Sequence, residues 1–204
     1  LATADLATYA LVSEMGLYAG TDGYLQLAHT WLTTGEWAFL PGAPEVLHRP
    51  PMTVWLMALT TAWNPEYWYI NWLLVSLLLA VAGLLLTRRI AYTLGLHPFA
   101  RNLLLVAVAL HPMLVASVRA TSFLQPGMVM LLLAIVLALE LKREFSWWRA
   151  GVLGLTLAGA ALTHGTLILL LLVVPLWLSF QRSVSWRAAM SLVVALVCIA
   201  PWSY

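Results

Sequence analysis

The segment from Thr21 to Leu56 carries the side chains best suited to chemistry in this chain. It reads TDGYLQLAHTWLTTGEWAFLPGAPEVLHRPPMTVWL and holds an aspartate, two histidines, two glutamates and an arginine. A carboxylate such as that of Asp22 can accept a proton from a substrate hydroxyl. The planar guanidinium of Arg49 can bind a phosphate through paired hydrogen bonds. Each also has a purely structural interpretation, since Asp22 can cap a helix and Arg49 can anchor one at a membrane surface.

Other polar side chains outside the apolar runs are further candidates. Arg119 is either a functional cation or an anchor at the outer surface. His48 either assists Arg49 or is a solvated loop residue. No two histidines have the i, i+4 spacing of a helical metal pair, so the sequence predicts no metal site.

The rest of the chain is strongly apolar. Of its 204 residues 63% are hydrophobic and 9% are charged, and the mean hydropathy is +0.91. Soluble domains carry about 25% charged residues. So few charges cannot cover a surface that faces water, and we therefore expect an integral membrane protein. The net charge of +2 is too small to indicate nucleic acid as a partner.

Six apolar runs predict membrane helices, because a span needs about 20 mostly apolar residues and lipid leaves the backbone only helical hydrogen bonds. They cover residues 67–87, 102–118, 123–141, 150–163, 165–181 and 188–203. Residues 1–17 would be the end of an earlier span. We predict an all-α fold, a polytopic transmembrane helical bundle that forms one domain over residues 1–204. The Leu at position 1 and the final PWSY suggest a fragment of a longer chain.

Residues 18–56 are predicted to form the first outer loop. Within this loop, residues 21–35 have apolar positions at helical spacing, which predicts an amphipathic juxtamembrane helix. Thr21 or Asp22 would cap this helix and Gly35 would end it. Pro51 would begin the next helix.

The basic residues predict an orientation. Eight of the ten flank every second connection: Arg88, Arg89, Arg101, Lys142, Arg143, Arg149, Arg182 and Arg187. The positive-inside rule places these connections in the cytoplasm. The polar segment, a turn at 111–122, the turn at Thr163–Gly165 and the final Pro-Trp then face outward. Tryptophans and tyrosines near both ends of the runs predict an interfacial belt rather than a sugar-stacking platform.

Four stretches, in chain order, carry a resemblance to a known family. They are DGYLQLAHTWLTTGE with HRPPMTVWLMAL, then LHPMLVASVRATSFLQPGMVMLLL, then AGVLGLTLAGAALTHGTLILLLLVVPLWL, and finally IAPWSY. Together they resemble the C-type (GT-C) superfamily of polytopic membrane glycosyltransferases, in its protein mannosyltransferase and aminoarabinose transferase branch.

The resemblance implies an enzyme of the bacterial inner membrane with its active face outward. It would transfer a sugar from a polyprenyl-phosphate donor to an acceptor, with membrane lipid as a partner. No cofactor is predicted with certainty, and a divalent cation stays open. Asp22 matches the acidic residue that acts as base or orients the acceptor. Arg49 matches the basic residue that faces the donor phosphate. The remaining substrate- or phosphate-binding positions are Tyr24, His48, Arg119, Gln125 and His164.

Two positions depart from the family's pattern. Gln125 stands where glutamate is common, and an amide is neither a base nor as strong a cation ligand as a carboxylate. His164 stands where arginine is common, and a histidine holds a phosphate well only when protonated. These departures support an alternative function, a non-catalytic GT-C-like subunit that scaffolds other membrane subunits. A transporter is less favoured, because ionisable groups at mid-membrane are lacking from the runs.

Overall fold

The computed structural model describes residues 23–38, 41–45, 49–63, 67–119, 124–179 and 188–202, without the side chains of Trp68, Arg119 and Ala188. Of these residues 86% are helical and none lies in a strand. The predicted all-α class is therefore confirmed for the described part of the chain.

Nine α-helices and two short 3₁₀ helices follow one another in the described residues. They are α1 (Tyr24–Thr34), α2 (Pro51–Trp63), α3 (Trp68–Thr93), α4 (Pro98–Ala109), α5 (Pro112–Arg119), α6 (Leu124–Arg143), α7 (Trp147–Thr163), a 3₁₀ helix (Gly165–Leu169), α8 (Leu170–Ser179), α9 (Ala188–Ile199) and a 3₁₀ helix (Ala200–Trp202). The helices α3 and α6 are long and apolar enough to cross a membrane, and α4 with α5 is a third such element if the bent pair is one span. Six or seven spans and their orientation remain predictions.

The long helices α3 and α6 run parallel. Near their C-terminal ends, Arg89 of α3 donates hydrogen bonds to Glu140 of α6, with Nη2 at 2.7 Å from Oε1. One turn further, Arg143 of α6 donates to the backbone carbonyl of Thr93 at the end of α3. The next helix, α7, begins at the same place, since Arg149 lies 3.7 Å from Glu140. We call this the basic end, defined by Arg89, Thr93, Glu140, Arg143 and Arg149.

The C-terminal end of α7 lies near α2, which is far from it in sequence. Thr53 in the first turn of α2 donates a hydrogen bond of 3.3 Å to the carbonyl of Thr163, the last residue of α7. Trp202 at the end of the last 3₁₀ helix lies with its ring 5.3 Å from that of Trp55 in α2. We call this the aromatic end, defined by Thr53, Trp55, Thr163 and Trp202.

Two clusters of buried side chains hold the helices together. The larger one joins α6, α7, α8 and α9 through Ala134, Leu137, Ala138, Leu141, Ala150, Leu153, Leu157, Ala158, Ala161, Leu171, Val174, Leu178 and Ala195. The smaller one packs α1 against α2 and the start of α3 through Tyr24, Leu27, Ala28, Val54, Met57, Ala58 and Trp72. The helix α1 thus packs onto the aromatic end, because this contact removes its apolar face from solvent.

The boundaries of α1 agree with the sequence at one end and differ at the other. Gly35 ends the helix in a left-handed conformation with φ of 78°, which a glycine adopts without steric cost. The N-cap position is taken by Gly23, with φ of 71°, and not by the predicted Thr21 or Asp22. Pro51 begins α2, as predicted.

The run at 102–118 is not one straight helix. It is split into α4 and α5, whose axes differ by 52°. Pro112 causes the break, because it lacks a backbone N–H and its ring clashes with the carbonyl four residues earlier. The predicted turn at 111–122 is wrong for residues 112–119, which form α5. No residue of α4 is buried.

Candidate functional site

Arg49 and Tyr24 lie together at the aromatic end. Tyr24, the first residue of α1, is buried in the smaller cluster against α2. Arg49 precedes the double proline that begins α2, and its guanidinium carbon lies 5.1 Å from the centre of the Tyr24 ring. At that distance the cation is attracted to the face of the ring. The docking of α1 on α2 therefore joins two of the predicted site residues.

The guanidinium of Arg49 has a donor that the described residues leave without an acceptor. Its Nε is buried, and the described residues provide it with no hydrogen-bond acceptor. Leaving a buried donor without an acceptor costs about 1–3 kcal/mol, and more on a charged group. An anion such as a phosphate would supply that acceptor through charge-assisted hydrogen bonds.

His164 lies at the same end, in the turn after α7. Thr163, the residue before it, is joined to Thr53, which follows Arg49 by four residues. The imidazole is half-buried, and its Nδ1 lies 2.8 Å from the hydroxyl of Thr166 and accepts from the backbone N–H of the same residue at 3.4 Å. The histidine therefore stabilises the turn into the 3₁₀ helix.

Gln125 is buried at the start of α6, with 1% of its surface exposed. Its Nε2 donates to the hydroxyl of Ser117 at 2.7 Å and to the carbonyl of Leu114 at 3.3 Å. Both partners belong to α5, so the amide joins α5 to α6. Its Oε1 is buried and has no hydrogen-bond partner in the described part of the chain.

A cleft of about 370 Å³ lies beside this amide, between α4, α5 and α6. It is lined by Ala107, Val108, His111, Met113, Leu114, Ser117, Leu124 and Met128. His111, which the sequence did not single out as a site residue, lies here at the break between α4 and α5. Pro112, which follows it, is the feature of the sequence that could have indicated the break.

The remaining predicted residues are not placed by the structure. Asp22 and His48 lie outside the described residues, and so does the side chain of Arg119, whose backbone ends α5. Within the described ranges, the hydrogen bonds of Gln125 go to α5 and do not join it to Arg49 or Tyr24. The predicted site is thus assembled in part around Arg49, while Gln125 belongs to the contact between α5 and α6.

Four tryptophans form a continuous cluster at the aromatic end. The ring centres are 6.0 Å apart for Trp31 and Trp37, 5.6 Å for Trp37 and Trp202, and 5.3 Å for Trp55 and Trp202. The sequence placed these residues at one face of the membrane but could not show that they touch. The cluster connects α1, the residues after it, α2 and the last 3₁₀ helix.

Among the residues that the structure describes, no three His, Cys, Asp or Glu side chains are grouped so that they could hold a metal ion. Comparisons with protein-family models, with curated proteins and with solved structures find no match. The resemblance to the C-type transferases therefore rests on the sequence motifs alone.

Proposed function

We propose that this protein is a membrane glycosyltransferase that moves a sugar from a polyprenyl-phosphate donor to an acceptor at its aromatic end. The observation that carries the proposal is Arg49, a cation held on the face of Tyr24 with a buried N–H that lacks an acceptor among the described residues. A polytopic bundle in a bacterial inner membrane, with the basic end in the cytoplasm, would place Arg49 at the outer headgroup level.

The proposed chemistry needs two groups. Arg49 would bind the donor phosphate, and the phosphate would then leave readily because it is acidic. Asp22 would take the proton from the acceptor hydroxyl. Asp22 precedes Tyr24 by two residues, so the covalent chain keeps their Cα atoms within about 7 Å. The base and the anion-binding group would therefore act in one neighbourhood.

The alternative is a non-catalytic subunit that scaffolds other membrane proteins. Two observations favour it. Gln125, at a position where the family commonly has a glutamate, is buried and joins α5 to α6. His164, at a position where the family commonly has an arginine, is engaged with Thr166 in a turn. Both side chains serve local structure, which a scaffold also requires.

The test is transfer of sugar from a panel of polyprenyl-phosphate sugars by the purified protein in lipid. We expect turnover in the wild type and a fall of about 100-fold in Arg49→Gln, the size seen when one donor that stabilises developing charge is removed. Arg101→Gln is the matched control, because Arg101 also lies over an aromatic ring, that of Tyr92 at 5.4 Å. Arg101 lies in α4, near the basic end and away from Arg49. The Arg101→Gln variant should therefore keep wild-type turnover.

Asp22→Asn separates the roles of the two residues. As the base, Asp22 should affect the rate at saturating donor, whereas Arg49 should also affect the concentration of donor needed for half-maximal rate. No turnover on any donor, together with stable co-purification of other membrane proteins, would support the scaffold. Equal turnover in wild type and Arg49→Gln would remove the phosphate-binding role from Arg49.

A further inference from the structure

From Leu78 to Tyr92, α3 carries an exposed stripe that changes from apolar to basic along the helix. Leu78, Val81 and Leu85 are exposed, and Arg88 and Tyr92 continue the same spacing of three and four residues. Residues at this spacing lie on one face of a helix. About two turns of apolar surface therefore end in an arginine and a tyrosine.

A second arginine joins this face from the next helix. The guanidinium carbon of Arg101 in α4 lies 5.4 Å from the centre of the Tyr92 ring. Arg88 lies one helical turn before Tyr92 on α3, so both arginines lie near the same tyrosine. The α3–α4 corner thus carries two positive charges, those of an exposed Arg88 and a half-buried Arg101.

The two acidic residues at and beside the basic end bind other arginines. Glu140 binds Arg89 and Arg149, and Glu144 lies 3.8 Å from Arg149. Arg88 and Arg101 have no carboxylate partner in the ranges that the structure describes. Arg89, the neighbour of Arg88, instead points to α6. In α3, Arg89 therefore contributes to helix packing, whereas Arg88 is exposed.

We infer that the α3–α4 corner binds an anionic phospholipid, with its phosphate between Arg88 and Arg101 and an acyl chain along Leu85, Val81 and Leu78. Charge complementarity supplies the headgroup contact. The exposed stripe has the polarity of a lipid molecule, apolar along its length and charged at one end. A free phosphate would use only the arginines, so the apolar stripe indicates the lipid. This inference rests on the membrane placement in the proposed function and is independent of sugar transfer.

The test is native mass spectrometry of the detergent-purified protein, titrated with phosphatidylglycerol and, separately, with phosphatidylcholine. We expect the wild type to prefer phosphatidylglycerol and the double variant Arg88→Gln/Arg101→Gln to bind it about tenfold more weakly. Arg89→Gln combined with Arg149→Gln is the matched control, which removes the same charge from residues bound by Glu140. It should lower phosphatidylglycerol binding by less than about twofold, since these arginines are already paired.

A second variant tests the apolar part without changing charge. Leu85→Gln replaces a side chain that is 59% exposed and should weaken phosphatidylglycerol binding a few-fold while leaving the fold intact. Soluble glycerol 3-phosphate at equal concentration should not displace the lipid. The inference is overturned if both lipids bind equally, if the control pair loses as much binding as the Arg88/Arg101 pair, or if glycerol 3-phosphate competes as well as the lipid.

Discussion

Gly154 of α7 lies against the backbone of α9. A Cβ at this position would be 2.6 Å from the carbonyl oxygen of Ser191 and 2.7 Å from Cβ of Val194. Neither atom is the flexible end of a side chain, so the two helices would have to separate. The contact shows why a glycine occurs here, because a side chain at this position would hold the two helices apart.

We predict that Gly154→Ala lowers the free energy of unfolding by about 1–3 kcal/mol, the usual cost of overpacking. Gly151→Ala is the control, since a Cβ there meets no atom within 4 Å. This control should be neutral or gain up to about 1 kcal/mol from helix propensity. Unfolding in mixed micelles with increasing denaturing detergent measures both. A similar loss in the two variants would contradict close packing of α7 on α9.

Gln125 permits a second prediction at the residue scale. Gln125→Met keeps the length of the side chain but removes the hydrogen bond to Ser117, which retains its own bond of 2.8 Å to the carbonyl of Leu114. We expect a loss of about 1 kcal/mol in stability. If the protein is a transferase, the donor concentration for half-maximal rate should not change, because the buried amide would not contact the donor.

Stability and kinetics must be measured on the same Gln125→Met preparation. If the donor concentration for half-maximal rate rises strongly while stability is unchanged, the amide of Gln125 contributes to donor binding, and the prediction is wrong.

At the scale of the elements, Glu140 is the residue that connects three helices. Its carboxylate on α6 binds Arg89 of α3 and Arg149 of α7. Exposed ion pairs contribute little alone, but a carboxylate shared by two arginines and itself only 20% exposed contributes more. The parallel alignment of α3 and α6 is thus supported by charge at one end and by apolar contact along their length.

Glu140→Gln should therefore lower the free energy of unfolding by about 1 kcal/mol at low salt. Glu144→Gln, whose carboxylate is 82% exposed and has one partner at 3.8 Å, should change it by less than about 0.5 kcal/mol. The difference between the variants should shrink as salt rises, because salt screens partly exposed charges. A difference that is absent at low salt would show that Glu140 does not help to align the helices.

At the scale of the whole molecule, the described charges are distributed unevenly between the two ends. Arg89, Arg143 and Arg149 meet at the basic end, whereas Arg49 lies at the aromatic end. The apolar surface between them is extensive, and α4 buries none of its residues. In a membrane this surface would contact lipid.

The predicted topology can be tested with single cysteines in a Cys198→Ser background. His29→Cys, an exposed position on α1, should react with a membrane-impermeant maleimide in intact cells. Glu144→Cys, exposed at the basic end, should react only after the membrane is permeabilised. Labelling of both positions in intact cells would place the two ends on one side and refute the spanning bundle. Reversed labelling would invert the orientation.

The sequence by itself determined the approximate positions of the long helices. The apolar runs predicted α6 to within two residues and the start of α3 to within one, and Pro51 predicted the start of α2, because helix formation in an apolar chain depends on local hydrogen bonding and local breakers. The helix α3 continues six residues beyond its predicted end at 87, and the run at 102–118 is broken into α4 and α5. Pro112 was visible, but the length of helix that would follow it was not.

Only the tertiary structure decided which side chains meet. Helical periodicity indicates which face of a helix is apolar, but the partner of that face depends on packing between segments far apart in sequence. Arg49 therefore lies on Tyr24, Gln125 is enclosed by α5, and Trp202 meets Trp55, although no local pattern distinguishes these contacts from others. Asp22 and His48 stay predictions from the sequence. The contacts of Arg49 and Gln125 follow from how α1 packs on α2 and how α5 packs on α6.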